Sequence, residues 1–211
     1  MTVIILAGGL GTRLHPITKD QYPKCMVPIN GKPFLYYILK NLVENYTLDK
    51  LILSVGHKHE HIKDYFGDNF WGVLIEYCIE KEPLGTAGAV KKVLKEKYIK
   101  GNTVVIMNGD TYTITDLNKM MECHEDNKTK STVAIFQNHD WIKGFYPVRA
   151  GVYILDKELG EGLPTVGNID DELKEVNYFD NKNDFIDIGT PDGYTFFKEV
   201  LCERLTKQES N

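Results

Sequence analysis

Apolar positions along this chain fall into short, sharply bounded blocks that alternate between two periods. Residues 3–6 form an unbroken apolar run that stops at Gly8 and Gly9. The run is too short for a helix and reads as a buried parallel strand. Runs at 51–55 and 103–107 predict two more such strands, and 73–79, 132–136 and 151–155 add three others. Between them, apolar residues recur at helical spacing over 34–45, where Pro33 is placed to start the helix. The segment 86–98 reads as a strong amphipathic helix, with a short helical pattern at 57–66 and further ones at 116–126 and 191–205. This alternation predicts an α/β chain with a mainly parallel central sheet covered by helices on both faces. No internal repeat or low-complexity segment interrupts the pattern, so 1–211 reads as a single domain with only 207–211 loose.

Composition narrows the class. A chain of 211 residues, 42% hydrophobic and 26% charged, encloses a sizeable core. A formal net charge of -5 argues against a nucleic-acid partner, which calls for a basic face. Cys25, Cys78, Cys123 and Cys202 are dispersed, with neither a zinc-site spacing nor a compact disulfide framework, so a reducing compartment is expected. No segment is apolar for long enough to span a membrane, and no basic leader opens the chain; a cytoplasmic location is expected.

The chemistry concentrates after the first strand. Leu6, Ala7, Gly8, Gly9, Gly11 and Thr12 lead to Arg13, and Lys24 follows eleven residues later. Glycines at the carboxyl end of a strand let backbone N–H groups approach an anion closely. Arg13 and Lys24 would neutralise it, as a nucleoside triphosphate requires. Two commoner phosphate loops are excluded. The dinucleotide fingerprint needs a third glycine where Leu14 stands, and a P-loop needs a lysine directly after its glycines.

The string Leu6-Ala7-Gly8-Gly9-Leu10-Gly11-Thr12-Arg13-Leu14, followed by Pro23-Lys24, resembles the signature of the sugar-phosphate nucleotidyltransferases, or nucleotide-sugar pyrophosphorylases. The resemblance continues, in the family's order, at 82–88 (EPLGTAG), Asn108-Gly109-Asp110, Ala150-Gly151-Val152-Tyr153 and Asp187-Ile188-Gly189-Thr190-Pro191. It implies a Rossmann-like three-layer sandwich of the nucleotide-diphospho-sugar transferase type. The implied reaction joins a nucleoside triphosphate to a sugar 1-phosphate and releases pyrophosphate.

The resemblance assigns roles residue by residue. Asp110 and Asp187, 77 positions apart, would hold Mg²⁺, which takes a few carboxylate oxygens and fills its octahedron with water and phosphate. Arg13 would hold the departing pyrophosphate, and Lys24 would stabilise charge at the reacting phosphates. Gly85 and Thr86 would line the nucleobase site, Asn108 the nucleotide, and Gly151 the ribose or sugar. Taken alone, Thr86 also suits a helix N-cap, Asp110 a turn, and Gly151 a close backbone approach.

The block at 82–88 resembles guanylyltransferases of the mannose and manno-heptose branch more than thymidylyltransferases. The chain's brevity favours the D-glycero-D-manno-heptose 1-phosphate enzymes, with GTP as donor and GDP-heptose for surface polysaccharide as product. Mannose-1-phosphate guanylyltransfer, cytidylyltransfer to a sugar or non-sugar phosphate, and a silent regulatory homologue are the alternatives. Relatives commonly self-associate, so a homo-oligomer is among the expected partners.

Two positions depart from the family pattern: Cys25 stands where proline is usual, and 137–149 lacks an E-K-P-like segment, leaving Lys143 or Arg149 as substitutes for a sugar-phosphate lysine. Other features read more plainly. His57 and His61 have a metal-capable spacing on what reads as an exposed helix without an acidic partner. The lysines at 91, 92, 95, 97 and 100 read as a solvated helix face, and Tyr65, Phe66, Phe70 and Trp71 as core packing.

Overall fold

The computed structural model describes residues 1–136, 148–181 and 185–208. Strand β1 (Thr2–Ala7) ends in the glycine loop, which runs through a 3-10 turn at Thr12–Leu14 into the one-turn helix α1 (His15–Thr18). A hairpin of β2 (Pro28–Ile29) and β3 (Lys32–Pro33) turns through Asn30 and Gly31, both at positive φ as tight hairpin turns demand. It feeds α2 (Phe34–Asn45), then β4 (Lys50–Val55) and α3 (His59–Phe66). The hairpin β5 (Asn69–Phe70) and β6 (Val73–Ile79) leads to α4 (Gly85–Glu96), β7 (Thr103–Asn108) and β8 (Thr111–Thr113). After α5 (Leu117–Asn127) come β9 (Ser131–Phe136), β10 (Val148–Asp156), α6 (Lys157–Gly162) and α7 (Ile169–Glu172). The chain closes with β11 (Asn177–Asp180), β12 (Phe185–Asp187) and α8 (Pro191–Gln208).

Eight strands form the main sheet in the order β11-β9-β10-β7-β1-β4-β6-β5. Its centre, β7-β1-β4-β6, is parallel throughout, while β10 runs antiparallel to both β7 and β9. From β1 the chain steps outward to β4 and β6, then crosses back to β7 on the other side of β1. A topological switch point therefore opens between the carboxyl ends of β1 and β7, where open α/β sheets bind ligands.

Alternation along β1 builds the three layers. Val3 and Ile5 enter one core with Phe34, Leu35 and Leu39 of α2 and Phe197 of α8. Ile4 enters the other core with Ala87, Val90 and Val93 of α4. Both faces of β1 are thus buried, which is why its sequence is apolar without alternation.

Several local expectations are corrected. Helix α3 begins at His59, so His57 precedes it and shares no helical face with His61. Its Nε2 instead lies 2.9 Å from Asp20 Oδ1. Asp116 is the N-cap of α5, its side chain accepting from Lys119 N–H, and α4 starts one residue before Thr86. Of the four aromatics assigned to the core, Phe66 and Phe70 are buried but Tyr65 and Trp71 are exposed. Lys207 and Gln208 belong to α8, and 209–211 lie outside the described residues.

Candidate active site

The ends of β1 and β7 are tied by the Gly109 N–H, which donates to the Leu6 carbonyl at 2.8 Å. Around this tie lies a cleft of about 260 Å³ lined by Leu6, Ala7, Gly8, Gly9, Lys24, Asn108 and Asp110, among others. Lys24 Nζ donates to Asp110 Oδ2 in an ion pair whose side chains are both largely buried. The lysine reaches this position because Gly11 adopts φ +66 and carries no side chain: a Cβ there would stand 2.8 Å from Lys24 Cβ. An L side chain is disfavoured at that φ in any case.

A two-stranded ribbon brings Asp187 to Asp110. Strands β8 and β12 pair antiparallel with Asp187 opposite Thr111, and the Ile188 N–H donates to the Asp110 carbonyl at 3.0 Å. Asp187 Oδ1 accepts from the Gly189 N–H at 2.6 Å. Arg13 joins the group: its Nη2 and Asp187 Oδ1 lie 2.9 and 2.7 Å from where a Cβ on Gly189 would stand. Two cations and two carboxylates thus converge at the switch point from four separate stretches of chain.

The donor set has the chemistry magnesium prefers, two carboxylates with hard oxygens and room for water and phosphate. Among the described residues no group of three or more His, Cys, Asp and Glu gathers to hold a metal. A site of this kind would be completed by the substrate's phosphates rather than closed by protein.

The cleft continues past Gly8 to Glu80, Pro83, Gly85, Thr86, Ala89 and Asn168. Here Thr86 does not cap its own helix. Its hydroxyl accepts from the Ile169 N–H at 2.8 Å, while the Ala87 N–H donates to the Gly167 carbonyl at 2.9 Å. The loop at 164–169 closes over the start of α4 and takes the groups that a cap would have used. Glu80 receives the Ser54 hydroxyl on Oε1 at 2.9 Å and the Leu84 N–H on Oε2 at 3.3 Å. Burial pushes its carboxyl above the ordinary range, outweighing those two bonds, which favour the charged form.

Of the residues singled out in the sequence, Gly11, Thr12, Arg13, Asp187 and Gly151 are not part of the cleft lining. Gly151 is buried at φ +65 with the Asn108 side chain packed where its Cβ would be. Arg149 is committed to Asp170, its Nη1 donating to Oδ1 at 2.6 Å, and Lys143 lies outside the described residues. Cys25 fills the usual proline position as a buried thiol, its pKa pushed up to about 12 by burial. Glu80 and Asn168 were not singled out. The position of Glu80 was legible: it directly follows a strand whose carboxyl end faces the ligand side.

Fold and site together define a nucleotide-handling α/β transferase, and the family follows. The profile of the Nucleotidyl transferase family matches residues 2–143, and the chain belongs to that family. It is 38% identical to the D-glycero-alpha-D-manno-heptose 1-phosphate guanylyltransferase of Aneurinibacillus thermoaerophilus, over 92% of this chain and 95% of the relative. The enzyme of the same description from Campylobacter jejuni is 37% identical, over 93% and 98% of the two chains. The crystal structure of HddC from Yersinia pseudotuberculosis complexed with GMP-PN superposes with a TM-score of 0.78 at 33% identity, covering 95% of this chain and 99% of that one. No helix among the described residues is long and apolar enough to cross a membrane.

Proposed function

We propose that this nucleotidyltransferase joins GTP to D-glycero-D-manno-heptose 1-phosphate, forming GDP-heptose and pyrophosphate. The observation that carries the reaction is the meeting of Lys24 with Asp110, beside Asp187 and Arg13, at the switch point of the sheet. The choice of substrates is supported by end-to-end similarity to guanylyltransferases of that description.

In the proposed reaction an oxygen of the sugar phosphate attacks the α-phosphorus in line. The bond from that phosphorus to the bridging oxygen of the β-phosphate breaks, and its electron pair leaves on pyrophosphate. The nucleophile has a second pKa of about 6 and is mostly ionised at neutral pH, so no protein base is required. The barrier lies in bringing two anions together, and positioned positive charge lowers it. Lys24 would move from Asp110 onto the reacting phosphates, and Arg13 would hold the leaving pyrophosphate. Asp110 and Asp187 would hold Mg²⁺, which when bound supplies Lewis-acid neutralisation of phosphate charge. The site's cytoplasmic setting and any self-association belong to the same proposal.

The test is pyrophosphate release with Mg²⁺, crossing GTP, CTP, UTP, dTTP and ATP with heptose, mannose and glucose 1-phosphates and phosphocholine. The reading expects the highest turnover for GTP with the heptose phosphate. Preference for CTP and phosphocholine would overturn it, as would silence in every combination.

A further inference from the structure

We propose that Asp20, outside the cleft, is a positioning residue for the nucleoside triphosphate. By bridging to His57 and Lys58 it fixes the glycine loop in the shape that grips the outer phosphates, a role that rests on the guanylyl-transfer reading above.

Arg13 and Lys24, the two cations of the site, stand at the two roots of a single arm of chain, residues 14–23. Leu14, Thr18 and Pro23 bury their side chains and pin the arm to the body of the protein. Its outer turn, 19–21, is exposed and contributes no buried side chain. There Asp20 Oδ1 meets His57 Nε2 at 2.9 Å and Lys58 Nζ at 3.1 Å. Hydrogen bonds from the His57 ring and then from Lys58 hold the Asp20 carboxyl below its ordinary range.

His57 and Lys58 belong to the turn between β4 and α3. That turn is braced by the His59 N–H, which donates to the Gly56 carbonyl at 3.1 Å, and by the His61 N–H, which donates to Lys58 at 3.2 Å. The same turn seats the glycine loop: a Cβ on Gly56 would stand 2.8 Å from the Gly8 carbonyl oxygen, so the two backbones touch. One short turn therefore holds the glycine loop through Gly56 and the arm beyond it through His57 and Lys58.

Backbone strain marks the same place. Among the described residues six that are not glycine have positive φ, and three of them lie in this clasp: Lys19 (φ 47), Asp20 (φ 54) and Lys58 (φ 54). L side chains adopt that conformation at a cost, so surrounding contacts must hold them in it. The bridge from Asp20 to Lys58 ties the two strained segments to each other. Without it the outer turn can relax, and fewer molecules present Arg13 together with the glycine N–H groups. Affinity falls with the fraction of molecules that are ready to bind. The loss falls on the outer phosphates, which the loop and Arg13 would hold, and spares the base and the sugar.

The experiment titrates GTP and GMP, each with Mg²⁺, into wild type, Asp20→Gly and Asp20→Asn by calorimetry, with steady-state kinetics alongside. Glycine tolerates positive φ, so Asp20→Gly removes the carboxylate without adding strain. Its binding of GTP should weaken roughly three- to tenfold, the worth of two partly exposed ion pairs. GMP, which lacks both outer phosphates, should bind as it does to wild type. KM for GTP should rise by the same factor, with kcat and the KM for the heptose phosphate unchanged. Asparagine also tolerates positive φ and keeps an acceptor oxygen, so Asp20→Asn should recover most of the loss. Equal weakening of GTP and GMP would reduce Asp20 to a structural contact and overturn the proposal, as would unchanged GTP binding in Asp20→Gly. If wild type binds no GTP, the guanylyl-transfer reading fails first and takes this role with it, and the wild-type titration alone reveals that.

Discussion

Lys24 and Asp110, 86 positions apart in the chain, meet as an ion pair with 18% and 19% of their side chains exposed. Each positions the other, and the proposed reaction uses both groups. Lys24→Met should lower turnover by ~100-fold or more, equivalent to ~3 kcal/mol of transition-state stabilisation, while the protein stays folded. Asp110→Asn should do likewise. Steady-state pyrophosphate release with circular dichroism on the same samples checks both, and near-normal rates in the two variants would remove this pair from the chemistry.

Gly11 supports Lys24 through backbone geometry. At φ +66 and with Lys24 Cβ 2.8 Å from its missing side chain, it resists substitution on two counts. Gly11→Ala should destabilise by about 1–2 kcal/mol, lowering Tm by several degrees in a chain of this size. Gly9 is flanked by no atom within 4 Å of its Cβ position, so Gly9→Ala should leave Tm unchanged. Equal melting shifts in the two variants would contradict the packing described.

Burial of Glu80 carries a pH signature in stability. Its folded pKa lies above the ordinary 4.5, so the folded state holds the proton more tightly than the unfolded chain. Stability from this group is full below the unfolded value and declines as pH rises from there through the raised folded value. Glu80→Gln, neutral throughout, should therefore melt higher than wild type at pH 8, with the gap closing toward pH 4. A gap that widens as pH falls would mean that the carboxylate is not penalised by burial.

Cys25 sits beside Lys24 yet is not a reactive thiol. It is buried, and a pKa pushed up to about 12 leaves almost no thiolate at neutral pH. Iodoacetamide at pH 7.5 should label Cys25 only after denaturation, as read by peptide mass spectrometry. Stoichiometric labelling of the native protein would show the loop to be open at this point.

The long elements were legible because burial on both faces writes an unbroken apolar run, and burial on one face writes a helical stripe. Helix α2 was read to its residue limits, with Pro33 marking its start and Phe34, Leu35, Ile38, Leu39 and Leu42 its buried face. The β8–β12 ribbon left no periodicity to read: its strands are three residues each and pair across about a third of the chain's length, and this is the contact that delivers Asp187 to Asp110. Thr86 suits a helix cap as well as the nucleobase site in sequence alone, because local sequence cannot reveal that the loop at 164–169 folds over it. Glu80 was passed over for the neighbouring glycines, since its meaning lies in Ser54 and Gly8, which reach it through the sheet.

The central claim is most directly tested by ³¹P NMR of the purified protein with GTP, D-glycero-D-manno-heptose 1-phosphate and Mg²⁺. The account predicts two new pyrophosphate-diester resonances and free pyrophosphate, appearing together in equal amount as the heptose phosphate signal falls. Release of phosphate or pyrophosphate with the heptose phosphate untouched would contradict it.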